Sequence, residues 1–113
     1  MMQIAERSAG KVTVLDLSGQ ITFTQGDLLF KDEINSLVHQ GQSSILVNLA
    51  GVTHVDSAGL GELVGAYTTV TKAGGTMKLL NLTKRLQDLL SITKLLTIFE
   101  TFDSEQEALR AFN

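Results

Sequence analysis

Residues 53 to 61, Thr53-His54-Val55-Asp56-Ser57-Ala58-Gly59-Leu60-Gly61, decide how the chain is read. Upstream, Ser44-Ile45-Leu46-Val47-Asn48-Leu49 carries a continuous apolar run of the kind found in strands buried on both faces. Downstream, Leu60, Leu63, Val64, Tyr67 and Val70 fall on one stripe, which predicts a helix from about Ser57 to Lys72. A strand-to-helix junction exposes side chains at the carboxyl edge of a sheet and points the amides of a helix start at whatever lies there. Asp56 and Ser57 are both good N-cap residues, and either can fill that role. Capping leaves Gly59, Gly61 and Gly65 unexplained, since a helical glycine costs about 1 kcal/mol relative to alanine. Close approach explains them, either of the helix to its own sheet or of another molecule to a flat face.

Working outward, residues 2 to 7 and Val12 to Ser18 predict an opening hairpin turned by Ser8-Ala9-Gly10-Lys11, with Gly19 ending the second strand. From Thr24 the period becomes helical, with Phe30, Ile34, Leu37 and Val38 on one stripe. Thr24 and Asp27 stand in a capping-box relation, and Gly41 lies past the end. Beyond the central junction, Ala73-Gly74-Gly75 stops the second helix and Thr76 to Asn81 reads as a strand. Lys84 to Ser91 reads as a helix bearing Leu86, Leu89 and Leu90, and Thr97 to Phe99 as a brief strand. Ser104 and Glu107 open a last helix whose apolar residues are Ala108, Leu109 and Phe112. The order β-β-α-β-α-β-α-β-α predicts an α/β domain spanning 1–113. Its small mixed sheet has a hairpin followed by mostly parallel strands, joined by right-handed crossovers through about four helices.

A chain of 113 residues is long enough for one ordinary core, and without cysteine it has neither a disulfide framework nor thiolate metal sites. The absence of cysteine also suits a reducing cytoplasm. Nine scattered Lys and Arg against twelve Asp and Glu offer no footprint for direct nucleic-acid binding. No apolar run approaches the roughly 18 residues of a membrane span, and Met1 to Gly10 lacks the apolar centre of a signal peptide. We therefore expect a soluble, cytoplasmic protein with a protein partner and no membrane insertion.

Ser57 as a catalytic nucleophile would need a base in reach and a group to orient that base. The only histidines are His39, at the end of the first helix, and His54, placed to reach Asp56 as easily as Ser57. G-x-S-x-G is absent, and two isolated histidines supply no three-ligand metal set. Ala58-Gly59-Leu60-Gly61 is not G-x-G-x-x-G and lacks a P-loop lysine, so no nucleotide cofactor is expected. Asp27, Asp32, Glu33, Glu105 and Glu107 are read as solvated residues of helix starts. The leucine-rich segment 86 to 99 is read as core.

Asp56-Ser57-Ala58-Gly59-Leu60-Gly61 resembles the D-S-[ST]-G-L-G signature of the STAS domain of bacterial anti-sigma factor antagonists. Val12 to Gly19 is similar to that family's second strand, and Ser44 to Leu49 to the strand that feeds the motif. Two positions depart from the pattern. Gly19-Gln20-Ile21-Thr22 stands where G-E-L-D is frequent, and Ala58 leaves Ser57 the sole hydroxyl between Asp56 and Gly59. The resemblance implies a non-enzymatic binding module with Ser57 as the phosphorylation site. It implies a partner surface formed by Asp56, Ser57, Ala58, Gly59, Leu60 and Gly61. The implied partners are an anti-sigma factor with serine kinase activity and a PP2C-type phosphatase. Two other roles use the same residues: a STAS subunit regulating a membrane transport complex, and a small hydrolase using Ser57.

Overall fold

The computed structural model describes residues 2–21 and 27–112. Strands β1 (Gln3–Ala9) and β2 (Val12–Ile21) form the antiparallel hairpin, with Gly10 in the left-handed conformation its turn requires. The turn is tighter than expected, because β1 runs on to Ala9. Helix α1 (Asp27–His39) follows, then β3 (Ser44–Val55), α2 (Ser57–Lys72), β4 (Thr76–Leu80) and α3 (Lys84–Ile92). A 3-10 turn at Leu95–Thr97, the short β5 (Thr101–Phe102) and α4 (Glu105–Arg110) complete the chain. The expected pairing of Thr24 with Asp27 lies outside the described residues.

The five strands lie in chain order, β1-β2-β3-β4-β5, antiparallel at β1–β2 and parallel elsewhere. Alternation along each strand divides the core between two faces. Leu15, Leu17, Ile45, Val47, Leu49, Met77 and Leu79 meet the apolar stripes of α1, α2 and α3 in the main cluster. Val12, Val14, Leu46 and Leu80 point the other way and pack against Ala108 of α4. Ile45, Leu46 and Val47 are all fully buried, as a central strand covered on both faces requires.

Four expectations are corrected. Gly19 does not end β2, which continues through it at φ 91° to Ile21. The strand expected at Thr97–Phe99 lies at Thr101–Phe102, because Lys94 turns left-handed and Phe99 enters the core edge-on to Tyr67, with ring centres 5.3 Å apart. Asn81 follows β4 rather than ending it, with φ 58° and its amide donating to the Phe102 carbonyl. Asp32 and Glu33 lie in the body of α1, not its first turn.

β3 is longer than its apolar run. Its pairing with β2 shifts twice, between Asp16 and Ser18 and between Gly19 and Gln20, and each shift inserts an extra residue into β3. The buried positions Leu49, Val52 and Val55 are accordingly spaced by three rather than two. At the first shift Gly51 lies so close to β2 that a Cβ would stand 3.0 Å from the Leu17 carbonyl oxygen. These bulges carry β3 beyond the expected strand and deliver the chain to Asp56.

Candidate functional site at the start of α2

Asp56 is extended at φ −93° and ψ −178°, and its Oδ1 accepts from the Gly59 amide at 2.7 Å. Its carbonyl accepts from the Leu60 amide at 2.9 Å. The cap is therefore Asp56, and Ser57 is the first helical residue. Helix geometry gives the amides of the first turn no intrahelical acceptor, and the Asp56 side chain takes the Gly59 amide among them. Ser57 is exposed at this positive end of a 16-residue helix, beside an acidic cap and half-buried Ala58.

The glycines separate into two kinds. Gly59 is buried, and a Cβ there would stand 1.9 Å from the Ile21 carbonyl oxygen. Only glycine lets the first turn of α2 lie on the end of β2, where the Asp56 amide also approaches that carbonyl at 3.4 Å. Leu60 is likewise turned into the core, at 5% exposure. Gly61 and Gly65 are exposed, and a Cβ at either would meet nothing within 4 Å. They line a groove of about 170 Å³ between α1 and α2, with Lys31 and Asn35 across from them. The first glycine thus serves the domain's own packing, and the other two leave a flat outward face.

Of the six motif residues, Ser57, Ala58 and Gly61 are presented outward, Asp56 caps, and Gly59 and Leu60 face inward. Lys31 and Asn35 were not singled out from the sequence. Their signal is two polar residues four apart, directly after the buried Phe30 and Ile34 of the α1 stripe. His54 sits exposed near the end of β3, and Thr53 Oγ1 donates to the Gly19 carbonyl at 3.2 Å, tying the upper ends of β2 and β3 together. Among the described residues no hydrogen bond joins Ser57 to His39 or His54, and no cluster of three His, Asp or Glu is placed to hold a metal ion. No helix among them is long and apolar enough to cross a membrane.

This sheet order, with Asp56 capping α2 at the β3–α2 turn, defines a small α/β domain. The chain belongs to the STAS domain family, whose model matches residues 3–108. It is 35% identical over 86 residues to the anti-sigma-B factor antagonist of Bacillus subtilis (strain 168), covering 76% of this chain and 77% of that one. The crystal structure of an anti-sigma factor antagonist from Mycobacterium paratuberculosis superposes with a TM-score of 0.86 at 20% identity, covering 99% of this chain and 94% of that one. The Bacillus cell fate determinant SpoIIAA in its phosphorylated form superposes with a TM-score of 0.76 at 19% identity, covering the whole of both chains.

Proposed function

We propose that this protein is an anti-sigma factor antagonist whose binding is switched by phosphorylation of Ser57. The carrying observation is the exposed hydroxyl of Ser57 at the first helical position of α2, with the capping duty already taken by Asp56. The relationship to an anti-sigma-B factor antagonist supports the same reading. In it, the unphosphorylated protein binds an anti-sigma factor with serine kinase activity in the cytoplasm, and a PP2C-type phosphatase restores Ser57. The chain acts as substrate and binding module, not as an enzyme.

A phosphoserine carries about −1.5 to −2 charges at neutral pH and three strong acceptor oxygens. At the start of α2 the dipole and first-turn amides tolerate that charge in the free domain. Inside an interface the group must be desolvated beside Asp56, so the complex is weakened while the fold survives. The partner meets Ser57, Ala58 and Gly61, and the groove running past Gly65 between α1 and α2 receives its side chains. Gly59 and Leu60 support this surface from beneath.

The test is to capture the partner from native lysate, then titrate it against the parent, Ser57→Ala and Ser57→Asp. Ser57→Ala should bind like the parent and accept no phosphate. Ser57→Asp should bind about tenfold more weakly, equivalent to about 1.4 kcal/mol. Phosphate mapping reproducibly to another residue, with Ser57 clean, would overturn the assignment. Labelling of Ser57 by a fluorophosphonate would favour a hydrolase, and co-purification with a permease complex would favour a transport regulator.

A further inference from the structure

A wide concavity lies at the opposite end of the molecule from Ser57. It is a groove of about 540 Å³ where α4 crosses the starts of β2 and β3, next to the β1–β2 turn. Ala9, Val12, Leu109 and Phe112 supply apolar walls. The Phe112 ring is braced from below by Lys78, whose buried ammonium stands 5.4 Å from the ring centre and 2.9 Å from Glu100 Oε2. Two cations stand on the rim, Lys11 on the hairpin turn and Arg110 in the last turn of α4. Both are exposed, and neither has an ion-pair or side-chain hydrogen-bond partner among the described residues. Among the described residues no carboxylate lines the groove, although the chain as a whole has a formal charge of −3.

We propose that this groove binds a small anionic amphiphile, in chemical class a free medium-chain carboxylate. Its alkyl chain lies against Val12, Leu109 and Phe112, and its carboxylate sits between Lys11 and Arg110. The charge pattern selects the sign of the head group, because two cations with no ion-pair partner among the described residues attract an anion and repel a cation. Apolar walls select the tail. An extended peptide fits less well. Ser44 and Gln106 are the only uncharged polar side chains in the lining, too few to satisfy a peptide backbone. The groove is separate from the Ser57 surface, so the proposal does not depend on the switch described above.

The experiment is titration of the intact isotope-labelled protein with decanoate below its micelle concentration, followed by amide NMR. Saturable shifts should cluster on Ala9 to Val12 and Leu109 to Phe112 and leave Asp56 to Gly61 unmoved. The double variant Lys11→Gln, Arg110→Gln alters two exposed side chains, so it should keep its melting temperature and bind decanoate about tenfold more weakly. Decyl glucoside, with the same chain and no charge, should bind the parent at least as weakly, which tests head-group selection without any mutation. Absence of saturation, saturation elsewhere, or equal affinity for decyl glucoside would overturn the proposal. So would capture of the protein through these same residues by anionic phospholipid vesicles when free decanoate does not bind, since the surface would then face a membrane.

Discussion

At Ser57 and its neighbours the structure assigns distinct duties to residues that read alike as letters. Asp56 caps and Ser57 does not, so Asp56→Ala should cost about 1 kcal/mol of stability and Ser57→Ala less than about 0.5 kcal/mol. Equal losses in thermal melting would show that Ser57 shares the cap. The glycines diverge more sharply. Gly59→Ala drives a methyl into the Ile21 carbonyl and must lift α2 off β2, so a loss of about 2 kcal/mol or more is expected. Gly61→Ala places its methyl in open space and gains helix propensity, so it should stabilise the free domain by up to about 1 kcal/mol while weakening partner binding. A Gly61→Ala protein that melts higher and binds its partner as tightly as the parent would show that the groove lies outside the interface.

Between elements, two charge pairs act in opposite senses with pH. Arg7 of β1 forks to Asp16 of β2, with Nε 2.7 Å from Oδ2, and to Glu105 of α4, with Nη1 2.9 Å from Oε2. Asp16 also accepts from Asn48 of β3 at 2.8 Å, and Asn48 accepts from Asn81 at 3.2 Å, so a polar chain crosses the sheet on the α4 face. Hydrogen bonds from Arg7 hold both carboxyls below their ordinary range. Their stabilisation is therefore present above that range and disappears as pH falls through the depressed values. Arg7→Ala should cost at most about 1 kcal/mol at neutral pH, because the fork is solvent-screened, and the gap in melting temperature should narrow as pH falls below the ordinary carboxylate range. Glu33 of α1 behaves oppositely. A hydrogen bond with Glu6 of β1 raises its carboxyl above the ordinary range, and burial adds to the effect. That contribution is complete at low pH and lost as pH rises through the raised value. Glu33→Gln should accordingly stabilise by about 0.5 kcal/mol at neutral pH and make no difference in acid; a loss at neutral pH would contradict it.

The element scale also shows what could be read from the letters. The limits of α2 are those its stripe predicts, Ser57 to Lys72, and Ser104 does cap α4, accepting from the Glu107 amide at 3.3 Å. The upper half of β3 was hidden because its two bulges convert alternation into the spacing Leu49, Val52, Val55, which fits neither a strand nor a helix. Gly59 and Gly61 could not be told apart for a related reason. The difference lies in the Ile21 carbonyl, distant along the chain, and no local pattern records a tertiary neighbour.

For the whole molecule, the site rests on the rim of a sheet whose core lies elsewhere. Phosphorylation of Ser57 should therefore leave global stability in place, with amide hydrogen-exchange changes confined to the start of α2 and the adjoining end of β2. Loss of protection across β3 and β4 would mean that the switch acts by unfolding. The agreement of sheet order with chain order has a further consequence, for synthesis. Once the β1–β2 hairpin exists, each later strand can join the edge of that sheet as it emerges, and none needs to be inserted between two strands already paired. Contacts between neighbours in the sheet can therefore form in the order of translation. By the time β4 has emerged, β3 has both of its pairing partners and the Ser57 turn is framed, while α3, β5 and α4 remain to close the far edge and the second face. The Ser57 turn can thus be framed before the far edge of the sheet has been closed.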